Sequence, residues 1–214
     1  MTALLCCCCS QVGSSSEAGE REPLLLPQSA KRVPRVAPFP EDFTYIAEMF
    51  NQQQENYKTM TECLRSLKDS YHCSHGDGLS ECLMKMRDEH STLRPNLEMK
   101  GYEFSLVLSS DIVPEKLQKA QEWVKTLCLT AKAITATSTK LQEMIKWVLQ
   151  SEEDFMRQVK KATPNFLDQR RVESNLNEDL KEVKRAKQQS KKYGQEAGDL
   201  VNEVVHLTSI SCNP

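Results

Sequence analysis

The sequence predicts an all-α protein: an antiparallel bundle of three long amphipathic helices plus one or two short ones, with a disordered N-terminal tail. Two observations carry this. Apolar residues recur at alternating steps of three and four over long stretches, the spacing of a helix buried on one face. The composition agrees, because Lys, Gln, Glu and Leu are abundant, aromatic residues make up only 6% of 214 residues, and Gly occurs 7 times. No repeat of twenty to fifty residues is visible, which sets solenoids aside.

Residues 1–40 read as a disordered tail. Gly13, Ser14-Ser15-Ser16, Gly19 and prolines 23, 27, 34, 38 and 40 oppose regular structure and offer little to bury. A helical domain is expected over 41–208, with a disordered C-terminus over 209–214. Glu41 and Asp42 favour a helix start by charge. Phe43, Ile46, Phe50, Tyr57, Met60, Leu64, Leu67 and Tyr71 then form one stripe on which Gln53 is the single polar residue. Gly76-Asp77-Gly78 is expected to end this helix. A short helix follows over about Leu79–His90, before Pro95.

Residues 101–110 are ambiguous. Tyr102, Phe104, Leu106 and Leu108 alternate as in a strand, yet a lone strand has no partner. The segment is therefore read as helical or irregular and buried. Pro114 opens the longest pattern, in which Leu117, Ala120, Val124, Leu127, Ala131, Ile134, Leu141, Ile145, Val148, Phe155, Val159 and Ala162 share a face. Ser138 and Glu152 interrupt it. Unbroken to Ala162, this helix would be about 73 Å long. It must break near Ser151, where Ser151-Glu152-Glu153-Asp154 resembles a helix start, or project toward another chain. Thr163 is expected as the N-cap and Pro164 as the first residue of a last helix running to about Leu207. Its stripe is Val172, Leu176, Leu180, Val183, Ala197, Val201 and Val204; the middle is weaker, with Lys187, Ser190 and Gly194 on that face, where small residues either allow close helix approach or leave the segment less stable.

Charge and cysteine usage bound the function. The net charge of −2 provides no global attraction to nucleic acid. Of nine cysteines, four are consecutive (Cys6, Cys7, Cys8, Cys9) and five are scattered (Cys63, Cys73, Cys82, Cys128, Cys212). With no Asn-x-Ser/Thr acceptor and no run near the ~18 apolar residues of a spanning helix, the thiols are expected to be reduced, in a cytosolic setting.

Four adjacent thiols cannot share one pocket, because neighbouring residues point in different directions. Behind Ala3-Leu4-Leu5 they suit S-acylation, and two or more chains convert marginal membrane binding into stable anchoring. Thr2 excludes N-myristoylation, and Cys212, third from the end of the sequence, does not form a prenylation box. The plainer alternatives are a soft-metal site, a poorly formed signal peptide, or a tail without function. Glu20, Leu24 and Leu25 match an acidic dileucine sorting signal of the kind that clathrin adaptors bind, although Leu24-Leu25-Leu26 is equally explained as a chance apolar run.

Cys63, His72, Cys73, His75 and Cys82 have the chemistry of zinc ligands but none of the tight paired spacings, so no metal and no cofactor are assigned. Lys181, Lys184, Arg185, Lys191 and Lys192 lie within about 120° of one helical face. They suit anionic headgroups or an acidic partner, or form a solvated face relieved by Glu178, Asp179 and Glu182. Without interleaved aromatics they do not suggest nucleic acid. Trp123 and Trp147 flank their stripe, and His90 and His206 are isolated. There is no phosphate loop, nucleophile elbow or catalytic constellation.

The expected function is that of a non-enzymatic, S-acylated helical adaptor or scaffold. It would sit on the cytosolic face of a plasma, endolysosomal or Golgi membrane and bind protein partners through its helices, with no small-molecule substrate. The alternatives are a soluble coiled-coil subunit of a larger complex with no lipid anchor, and a small metal-dependent enzyme using the Cys63–Cys82 region.

Overall fold

Residues 39–74, 76–110, 112–163 and 165–210 are described by the structure, a computed structural model. Over these residues the protein is all-α, with five helices and one small sheet. They are α1 (Phe39–Ser70), α2 (Leu79–Glu89), β1 (Asn96–Lys100), β2 (Glu103–Val107), α3 (Glu115–Gln150), α4 (Glu152–Ala162) and α5 (Phe166–Ile210).

In α1 the carboxylates of Glu41 and Asp42 occupy the first turn, where they meet the positive end of the helix dipole. The stripe buries Phe43, Ile46, Phe50, Met60 and Leu67, with Gln53 fully buried among them. The helix ends before the expected Gly76-Asp77-Gly78. His72 adopts φ 51, so that Cys73 N donates to Lys68 O at 2.9 Å and His72 N to Asp69 O at 3.3 Å. That pair of bonds closes a Schellman turn, with histidine at the position glycine usually takes. α2 then buries Leu79, Cys82, Leu83 and Met86.

The segment after α2 corrects the expectation of a helical or irregular stretch at 101–110. β1 and β2 form an antiparallel hairpin in which Leu97 opposes Leu106, Met99 opposes Phe104 and Lys100 opposes Glu103. The partner missing from the sequence reading is Asn96–Lys100, just upstream. Gly101 supplies φ +64 in the two-residue loop, which the tight turn requires of its first residue. Phe104 and Leu106 are buried, whereas Tyr102 at the tip is exposed.

α3 buries Leu117, Ala120, Val124, Leu127, Ala131, Ile134, Leu141, Ile145 and Val148. It breaks at Ser151, whose N–H is shared between Trp147 O at 3.0 Å and Val148 O at 3.2 Å. Glu152, Glu153 and Asp154 fill the first turn of α4. Thr163 is not the N-cap of the last helix. It is the C-cap of α4, with its hydroxyl donating to Val159 O at 2.9 Å. The start of α5 is instead capped by Asn165, whose Oδ1 accepts from Leu167 N at 3.1 Å. The α5 stripe also differs in the middle. Ala186, Ser190, Tyr193, Ala197 and Leu200 are buried, while Lys187 and its charge stay exposed, so the buried face is continuous where the sequence suggested weakness.

The described residues divide into two compact units, those of 39–52 together with 139–191 and those of 53–138 together with 192–210. In the first, Phe155 of α4 packs against Phe43 of α1 and edge-on against Trp147 of α3, with ring centroids 6.0 and 5.9 Å apart. In the second, α3 runs antiparallel to α1: Gln53 bonds near Ser138, and the Lys116 ammonium lies over the Tyr71 ring at 4.4 Å. The hairpin sits on α3, where Cys128 Sγ accepts from Phe104 N at 3.3 Å.

Candidate functional site

The residues with the most specific sequence signals, Cys6–Cys9 and the Glu20, Leu24, Leu25 motif, lie outside the described residues, as do His75 and Cys212. The surfaces that can be built atom by atom are on α4, α5 and the helices around them.

The predicted basic residues Lys181, Lys184, Arg185, Lys191 and Lys192 are all exposed on α5. Three of them are engaged locally. Lys184 pairs with Glu152 of α4 at 3.2 Å, Arg185 with Glu182, and Lys192 with Glu196 at 3.6 Å. Lys181 and Lys191 have no carboxylate partner among the described residues. Exposed pairs of this kind contribute little to stability, but they reduce the field the face presents. On the same helix Asp179 is half-buried, and its carboxyl is pushed up to about 6, chiefly by burial and then by the neighbouring Glu178 and Glu182.

Of the thiol and imidazole group, Cys73 and Cys82 lie together, while His75 is outside the described residues. Among the described residues no three His, Cys, Asp or Glu side chains converge as metal ligands. Cys82 is fully buried, and its thiol is pushed up to about 12 by burial and by the adjacent Cys73. Burial likewise raises Cys63. Such thiols are protonated at neutral pH.

Two buried polar clusters are only partly visible in the sequence. Gln53 Nε2 donates to Ser138 Oγ at 3.0 Å and to Ile134 O at 3.3 Å, and a Cβ on Gly194 would stand 2.5 Å from the same Ser138 Oγ. Tyr57 stacks on Tyr193 with centroids 4.1 Å apart and donates to Glu196 Oε2 at 2.7 Å. Burial, then this hydrogen bond, pushes the Tyr57 hydroxyl up to about 12. These contacts join α1 to α3 and to α5, and the groups in them are committed to structure.

The corner between α4 and α5 has a different character. Phe166 and Leu167 are 64% and 74% exposed. The cations that precede and follow them in the chain, Arg157, Lys160, Lys161, Arg170 and Arg171, are exposed as well. Arg157 pairs with Asp154 at 2.9 Å, and the Arg170 guanidinium lies 5.1 Å from the centre of the Phe166 ring. Leu149, Glu152, Met156, Arg157 and Lys160 line an open groove on the same side of α4. The sequence signal for this corner is the doublet Lys160-Lys161, the apolar pair and the doublet Arg170-Arg171 in succession. It is easily missed because Phe166 and Leu167 open a helix whose buried stripe begins later.

Comparison with protein-family models, curated proteins and solved structures finds no match to this chain.

Proposed function

We propose that the protein is a non-enzymatic, S-acylated helical adaptor held at the cytosolic face of a plasma, endolysosomal or Golgi membrane. The observation that carries this reading is the block of four adjacent cysteines following Ala3-Leu4-Leu5. Burial of acyl chains stabilises attachment by about 0.8 kcal/mol per CH2, so two or more chains anchor where one does not. No helix among the described residues is long and apolar enough to cross a membrane. Glu20, Leu24 and Leu25 would then place a sorting signal for clathrin adaptors close to the anchor, and the exposed α5 face from Asn175 to Gly198 would meet protein partners.

The competing reading, a soluble coiled-coil subunit, uses the α3 stripe as a partner seam. Leu117, Leu127, Ile134, Leu141 and Ile145 are fully buried within the chain, which favours the adaptor reading.

Acyl-exchange labelling in cells tests the proposal. The wild-type chain should label and fractionate with membranes, and the variant with Cys6–Cys9 changed to serine should lose the label and shift toward the soluble fraction. Equal labelling of both, with both soluble, refutes it.

A further inference from the structure

We infer that the α4–α5 corner is a membrane contact in its own right, with Phe166 and Leu167 entering the interfacial layer of an anionic bilayer and the surrounding cations holding its headgroups. The inference goes beyond the acylation reading and does not need it.

Single exposed apolar residues are ordinary on protein surfaces. Here two bulky ones are adjacent, both well over half exposed, and stand at a helix start between two basic doublets. Between residues 157 and 171 the sequence has five cations and one carboxylate, Asp168. Lys160 and Lys161 have no carboxylate partner among the described residues, in contrast to Lys184, Arg185 and Lys192 on the α5 face. Lys181 and Lys191 on that face are likewise without a carboxylate partner among the described residues, and Arg157 pairs with Asp154, so what sets the corner apart is the exposed apolar pair that accompanies its cations. α4 suits this placement because it turns Phe155 and Val159 inward while Arg157, Lys160 and Lys161 face solvent. Cations beside apolar anchors are the pattern of interfacial binding to anionic lipid.

The test uses the full chain with Cys6–Cys9 changed to serine, so that no acyl group contributes, in sedimentation with vesicles of phosphatidylcholine with or without a third phosphatidylserine. The chain should bind the anionic vesicles and not the neutral ones, and salt should release it. Lys160→Gln with Lys161→Gln should weaken binding by roughly twenty-five-fold, about fivefold per cation. Phe166→Ala with Leu167→Ala should weaken it by about tenfold or more, and Lys181→Gln with Lys191→Gln by less than about twofold. In a Phe166→Trp variant, brominated lipid should quench emission beyond the background of Trp123 and Trp147. Three results would overturn the inference: no preference for anionic vesicles, loss only in the α5 variant, or a corner variant that dissolves a dimer while vesicle binding is absent throughout. Failure here leaves the acylation experiment untouched, and the reverse also holds.

Discussion

Asp179 is a carboxyl placed where water reaches it poorly and two other carboxylates stand beside it. Its ordinary value of 3.8 is raised to about 6, so the folded chain holds this proton more tightly than the unfolded chain does. Above about pH 6 both states are ionised and folding bears the full cost; below 3.8 both are protonated and the cost is gone. Stability from this group therefore grows as pH falls between those limits. Asp179→Asn should raise the melting temperature at pH 7.5 by about 2–4 °C, equivalent to about 1 kcal/mol, and the gain should vanish near pH 4. A gain that persists in acid would show that burial of the charge is not its cause. Sequence spacing identifies Asp179 only as a counter-charge to the α5 lysines. Its burial depends on what packs against α5, which periodicity along one helix does not report. Gln53 is legible in the same partial way: its place on the α1 stripe is evident, but its partners on α3 lie more than eighty residues away.

At the scale of the element, the two glycines of α5 make opposite predictions. A methyl group added at Gly198 would meet nothing within 4 Å, whereas at Gly194 the added carbon meets Ser138 Oγ at 2.5 Å. Gly198→Ala should stabilise the fold by about 0.5–1 kcal/mol through helix propensity alone. Gly194→Ala should lose about 1 kcal/mol net, because relief by rotation of the Ser138 hydroxyl breaks its bond to Gln53. Adding Ser138→Ala should recover most of that loss, and chemical denaturation of the four variants measures the coupling. If Gly194→Ala stabilises as Gly198→Ala does, the close approach of α3 and α5 is wrong. The long helices are legible because a 3.6-residue period survives isolated polar interruptions. The hairpin is not, since β1 buries Leu97 but leaves Glu98 and Lys100 exposed and Met99 half-covered, too little alternation to announce a strand. The α5 cap escapes the sequence because Thr163 and Asn165 are both good capping residues, and only the bond from Leu167 N decides between them.

At the scale of the whole molecule, the apolar stripe of α3 is consumed within the chain. The protein should therefore sediment as one species at its monomer mass of 24.4 kDa across micromolar concentrations. A concentration-dependent shift to twice that mass would revive the coiled-coil subunit. α1, α3 and α5 each contribute residues to both compact units, and the sequence, read one stripe at a time, suggests a single helical domain without locating that division. The candidate site is legible in kind more than in place. Cationic surfaces can be counted in a sequence, but which cations are already neutralised depends on contacts between helices, such as that of Glu152 with Lys184.

The bond between Phe104 and Cys128 has one more consequence. The strand pair is fastened to a buried sulfur atom belonging to a helix, so any bulk added to that sulfur must push against the Phe104 backbone that now covers it. A thiol-directed reagent should therefore reach Cys128 slowly while the hairpin is seated, and its labelling rate measures how often the hairpin lifts.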